Sequence, residues 1–183
     1  MSFIITGNPG VGKHTIGNEV SKNSDFSIID INQIAKESGL FEKNNETNDV
    51  DVEKLAQVIE EKKFKSVLFV GHLAPYVLSA NDVEKVIVFR KNPYAIIPIY
   101  EKRGYSSEKI KENIGSEILG VILYDSLEKF GAKKIVQIDV TLKSIEEITK
   151  MVLEIINGAE VFEEVDWLTE VSDKNDLKKF FSD

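Results

Sequence analysis

Phe3-Ile4-Ile5-Thr6-Gly7-Asn8-Pro9-Gly10-Val11-Gly12-Lys13-His14-Thr15 runs from an apolar strand through a glycine-rich turn into a lysine that opens a helix. The turn follows the pattern G-x-x-x-x-G-K. Small residues let successive backbone N–H groups converge on phosphate oxygens, the helix N-terminus adds partial positive charge, and Lys13 reaches the terminal phosphates. Gly7 to Thr15 is therefore the expected nucleotide-binding loop. One position departs from the pattern. Where serine or threonine normally offers a hydroxyl to magnesium stands His14, whose imidazole is a poor partner for a hard cation. Nucleotide binding and catalysis are thus separate questions for this chain.

Outward from that loop, short β-branched runs alternate with stretches of helical period, which is an α/β pattern. Strands are expected at Ser2 to Thr6, Phe26 to Asp30, Ser66 to Val70, Lys85 to Arg90 and Lys134 to Ile138, continuous apolar runs suited to burial on both faces of a five-stranded parallel sheet. Helices are expected at Lys13 to Ser21, Ile31 to Ser38, Asp51 to Lys63, Asn92 to Lys102, Ser107 to Phe130 and Lys143 to Ile156. In the longest, Ile110, Ile114, Ile118, Ile122 and Leu123 share one stripe. The polar run Gly39 to Asp49 reads as a flexible loop, of the kind that closes over a ligand. Gly104-Tyr105-Ser106 reads as a short lid between helices. The acidic stretch Ala159 to Asp183 carries Phe162, Trp167, Leu168, Phe180 and Phe181, and its aromatics favour packing on the core over an exposed docking tail.

A length of 183 residues fits one domain, and no apolar run is long enough to span a membrane. Cysteine is absent, which excludes disulfides and thiolate metal sites. A net charge of -8 argues against general affinity for nucleic acid backbones. The first strand starts at the N-terminus and no leader sequence fits, so a cytoplasmic location is expected.

Ligands in open α/β sheets bind beyond the carboxyl ends of the strands. Those ends supply Asp30 after the second strand and Gly71-His72-Leu73-Ala74-Pro75 after the third, so both histidines of the chain, His14 and His72, fall in the binding zone. Asp30 is either a compensating metal-binding acid or a cap for the following helix. Arginine occurs only at Arg90 and Arg103, which limits how firmly an acceptor monophosphate can be clamped. Lys36, Lys91, Lys102 and Lys109 are candidate stand-ins or ordinary surface.

Over most of its length the chain resembles archaeal and nuclear adenylate kinases of the isoenzyme 6 type, which double as ATPases in small ribosomal subunit assembly. The resemblance rests on Gly7 to Lys13, on Val70-Gly71-His72, on the block from Lys102-Arg103-Gly104-Tyr105 to Ile114, and on Glu117 to Tyr124. Ile138-Asp139-Val140-Thr141 resembles the family segment that approaches the adenine.

This resemblance implies a three-layer P-loop nucleoside monophosphate kinase fold over residues 1–158, with a monophosphate-binding segment near 30–53, a lid near 102–112 and an acidic extension at 159–183. It implies ATP and Mg2+ as cofactors and AMP as acceptor, with Gly7, Asn8, Pro9, Gly10, Val11, Gly12, Lys13, His14, Thr15, Arg103 and Thr141 on the nucleotide. Lys13, His72 and Arg103 take the catalytic roles. His72 aligns with the histidine of the family's acid-x-histidine motif, which orders the magnesium shell and attacking water, and Arg103 is the lid arginine. Three residues depart from the family. His14 replaces the metal-binding hydroxyl, Val70 the motif's acid, and Ile99 a second arginine ahead of Arg-Gly-Tyr. Two readings stay open: an adenylate kinase with ATPase activity, and a weakly active or inactive ATP-dependent assembly factor that binds a small-subunit ribosomal protein.

Overall fold

A computed structural model describes residues 2–44, 47–62, 64, 66–161 and 163–181. Strands β1 (Ser2–Gly7), β2 (Ser27–Asp30), β5 (Val67–Val70), β6 (Lys85–Arg90) and β7 (Ile135–Asp139) form a five-stranded sheet in the order β2-β5-β1-β6-β7. Every pairing in it is parallel. The five expected strands all form, each within a residue of its expected start.

Successive β1 residues face opposite layers, as the two-residue period of a strand requires. Phe3 and Ile5 join Ile16 and Val20 of α1 (Lys13–Lys22) in one core; Ile4 joins Ile31, Leu55 and Ile122 in the other. Helices α5 (Pro93–Lys102), α6 (Ser107–Leu119) and α8 (Ile145–Ile156) cover the first face with α1. Helices α2 (Ile31–Glu37), α3 (Val52–Glu61), α4 (Ala74–Val77) and α7 (Val121–Phe130) cover the second. The result is three layers, and the central strands are apolar in their middles because neither face meets water there.

Two expectations are corrected. The polar run at Gly39 to Asp49 contains an antiparallel hairpin, β3 (Phe41–Asn44) with β4 (Thr47–Val50), in which Phe41 pairs with Val50 and Asn44 with Thr47. Composition pointed to a loop, whereas ladder hydrogen bonding between the two short arms satisfies the backbone without any apolar pattern. Asn45 and Glu46 lie outside the described residues, as do Lys63, Phe162 and Asp183.

The expected helix from Ser107 to Phe130 is two helices, broken at Gly120. Its apolar stripe runs through the break, which is why periodicity did not reveal it. Gly120 adopts φ 66°, ψ 34°, closing α6 and opening α7 in a left-handed conformation that only glycine takes without strain. A Cβ there would stand 3.3 Å from Nη1 of Arg90.

The C-terminal segment folds onto the first core. Trp167 and Val171 of α9 (Trp167–Asp173) and Phe180 of α10 (Leu177–Phe181) are buried, and Phe180 meets Tyr94 edge to face at 5.5 Å. Among the described residues, no helix is long and apolar enough to cross a membrane. Because the left-handed break separates α6 from α7, Gly120→Ala should lower unfolding stability by about 1–2 kcal/mol, the cost of αL for a residue with a Cβ. Urea denaturation measures it; an unchanged midpoint would show that the break tolerates a side chain.

Candidate nucleotide-binding site

The phosphate loop is shaped by close backbone approach. Gly7 ends β1 at φ 138° in register with Phe89 of β6, and a Cβ on it would lie 2.4 Å from the Phe89 carbonyl oxygen. Only glycine lets the chain leave the sheet here. Gly12 then caps α1 in a left-handed conformation, with no side chain competing for the first helical N–H groups. These donors are left for an anion. Lys13 is buried, and its Nζ donates to the carbonyl oxygen of Asn8 at 3.0 Å, within its own loop. Burial, followed by the positive charge of Arg103, pulls its pKa down to about 8 against the opposing pull of Asp30 and Glu117. The ammonium is still the dominant form at neutral pH.

Over this loop opens a cleft of about 240 Å³ lined by Pro9, Gly10, Gly12, Lys13, His14, Thr15, Asn32, His72, Arg103 and Tyr105. It lies beyond the carboxyl ends of β1 and β5, where the strand order reverses. Sequence reasoning missed Asn32 and Tyr105 as lining residues. Asn32 follows the Asp30 cap by two positions, and its Oδ1 is buried without a partner, which leaves an amide to meet a ligand. A larger cleft of about 870 Å³, lined by α3, Phe64 and residues 76–84, contains none of the candidate residues.

Asp30 turns out to serve as both pairing partner and cap. Its Oδ1 accepts from the backbone N–H groups of Asn32 at 2.9 Å and Gln33 at 3.2 Å, opening α2. Its Oδ2 sits 3.1 Å from Nδ1 of His14. Partial burial pushes the Asp30 pKa up, but the hydrogen bond and charge of His14 and the two backbone donors outweigh it, so the carboxyl ionises below its usual range. His72 is displaced further. Burial, then the charges of Lys13 and His14, lower its pKa to about 4, with only Asp30 opposing. At neutral pH His72 is an uncharged imidazole that can accept a hydrogen bond from water or substrate.

Arg103 is the C-cap of α5, and its exposed guanidinium lines the cleft across from the loop. Tyr100 anchors this end by donating its hydroxyl to the carbonyl oxygen of Pro9 at 2.8 Å and stacking on Tyr105 at 5.4 Å. Lys109 covers the Tyr105 ring at 4.6 Å. Lys36, Lys91, Lys102 and Lys109 do not line the cleft. Arg90 is committed elsewhere: only 4% exposed, it pairs with Glu117 at 2.8 Å, so Arg103 is the one arginine at the cleft. Val70 is buried in the core beside the loop helix, and Ile99 packs against the same core and near Gly10. Thr141 lies outside the cleft, where its hydroxyl accepts from the backbone N–H of Asn92 at 2.9 Å and bonds to Asp139.

The donor set suits a polyphosphate. Among the described residues no three histidine, aspartate or glutamate side chains gather to hold a metal, and His14 occupies Asp30 at the loop position where a hydroxyl would face the ion.

The chain is similar to known proteins in sequence and in fold. The AAA domain family model matches residues 4–120. A protein of Methanococcus maripaludis named "Putative adenylate kinase" is 37% identical over 161 residues, covering 84% of this chain and 87% of its own. One of the same name from Pyrococcus furiosus is 34% identical, covering 86% and 85%. Among solved structures, shikimate kinase from Bacteroides thetaiotaomicron matches with a TM-score of 0.57 at 18% identity over 86% of this chain and 98% of that one. The YorR protein of Bacillus subtilis, in complex with phosphorylated GDP, matches with a TM-score of 0.60 at 17% identity over 86% and 96%. At those identities they show a shared fold.

The depressed pKa of His72 has a readable consequence. The unfolded chain binds a proton at this residue below about pH 6.5, and the folded chain only below about pH 4, so this contribution to stability falls as pH drops through that window. NMR titration should find His72 neutral from pH 8 to pH 5.5; a midpoint near 6.5 for His72 would contradict its buried, cation-flanked setting.

Proposed function

From the premise that the chain belongs to the AAA domain family, among relatives named as adenylate kinases, we propose that it is an ATP-binding phosphotransferase that moves the γ-phosphoryl group to AMP, with water as a competing acceptor. The observation that carries this reading is the convergence of Lys13, His72 and Arg103 on one cleft over the phosphate loop. Phosphoryl transfer asks a protein for positioning and for charge around the transferred group, and these three supply a buried cation, a neutral acceptor and a lid cation. Lys13 exchanges its bond to Asn8 for the nucleotide's terminal phosphates. His72 orders the attacking oxygen. Arg103 reaches the phosphate from the end of α5 as the lid closes.

The same inventory favours a loosely held acceptor. Monophosphate clamping draws on the bidentate fork of arginine, and with Arg90 tied to Glu117 only Arg103 remains for donor and acceptor together. Hydrolysis should therefore accompany transfer. Magnesium that enters with the nucleotide would take its ligands from phosphate oxygens and water, since His14 is engaged with Asp30.

The test is ADP formation from ATP with and without AMP. Stimulation by AMP over a measurable basal rate is expected, whereas ATP consumption indifferent to AMP would make water the sole acceptor and overturn the kinase assignment. His14→Thr should raise turnover, because it frees Asp30 and returns a hydroxyl to the phosphate end of α1. A fall at saturating magnesium would show that the imidazole has a role of its own.

A further inference from the structure

Glu117 lies on α6, outside the cleft, and is fully buried. An isolated carboxylate in that setting would carry a large desolvation cost, so its partners define its purpose. Oε1 accepts from Nε of Arg90 at 2.8 Å, from the backbone N–H of Lys91 at 3.1 Å and from Nε1 of Trp167 at 3.1 Å. Oε2 accepts from Nδ2 of Asn8 at 2.7 Å. Asn8 is also held from the adjacent residue of α6, because Ser116 Oγ donates to its Oδ1 at 3.1 Å. Both ends of the Asn8 amide are thus fixed by the helix that follows the lid arginine, while its backbone carbonyl holds Lys13.

We propose that Glu117 is a positioning residue that couples the C-terminal segment and the lid helix to the phosphate loop, acting on nucleotide through Asn8. The inference rests on the nucleotide-binding reading above. Continuity of hydrogen bonds carries it: Trp167 to Glu117 and Glu117 to Asn8, a residue of the phosphate loop whose backbone carbonyl holds Lys13 until the nucleotide takes it. The segment at the Trp167 end is itself clamped on the body of the protein, with Nδ2 of Asn92 donating to the Glu170 carboxylate at 3.0 Å and Tyr94 donating to Asp176 at 2.8 Å. Displacing that segment, or moving α6 as the lid closes, therefore shifts the donor that sets the loop. A helix 50 residues downstream of Glu117 in sequence reaches the phosphate site through two side chains.

The coupling is tested by a double-mutant cycle on ATP affinity, read by calorimetry together with KM and kcat. Asn8→Ala cuts the link and leaves the Arg90–Glu117–Trp167 cluster intact; Trp167→Phe keeps the ring and removes only the indole N–H. A charge-assisted hydrogen bond lost at Asn8 should raise Kd and KM for ATP about tenfold, and loss at Trp167 about threefold. In the double variant the Trp167 effect should vanish, because its path to the loop is already broken. Asn8→Ser, too short to reach Glu117, serves if Asn8→Ala does not fold. Strictly additive effects, or lowered thermal midpoints with unchanged Kd and KM, would reduce Glu117 to a structural residue and overturn the proposal. A parent that binds no ATP overturns the nucleotide reading and the coupling with it, whereas a parent that binds ATP without transferring phosphate fails only the phosphotransfer assignment.

Discussion

A carboxylate sealed from water must find its hydrogen bonds inside the protein, and Glu117 finds four donors on three separate parts of the chain. They come from the phosphate loop, the end of β6 with the residue after it, and α9. Removing one partner from such a buried pair costs roughly 3–5 kcal/mol, so these parts cannot drift independently. The loop that Asn8 belongs to is thereby held from behind, its residues lining the cleft and its lysine parked on a carbonyl of its own turn. Much of what makes the cleft a ready anion site is therefore built outside it.

The electrostatics inside the cleft follow from burial first and from neighbouring positive charge second. Burial and then Arg103 lower the pKa of Lys13, and burial, then the charges of Lys13 and His14, lower that of His72. A polyanion would relieve that repulsion. Asp30 offsets part of the excess by pairing with His14.

How far the sequence could be read depended on whether a feature was local. The five strands were legible because each is a short apolar run buried on both faces, and the phosphate loop because its glycine spacing has a backbone reason. His72 and Arg103 came from position at element ends and from resemblance, and the structure brings both to the cleft with Lys13. Thr141 was drawn from resemblance too, and it lies outside the cleft, bonded to Asn92 and Asp139. The break at Gly120 was hidden by an apolar stripe that continues across it. The hairpin at β3 and β4 has no alternation to announce it. Glu117 stood out only as part of the block that resembles the family, since nothing in a sequence says which glutamate will meet an arginine, an asparagine and a tryptophan brought from 27, 109 and 50 residues away.

The central claim is that nucleotide triphosphate binds at the loop between β1 and α1, with Lys13 as its buried cation. Calorimetric titration of ATP into the parent protein and into Lys13→Ala tests it most directly. The account predicts one site per chain in the parent, and in the variant a loss of affinity of at least the tenfold to hundredfold expected for a hydrogen bond to a charged group. Equal affinity in the two proteins would place the nucleotide somewhere else and contradict the account.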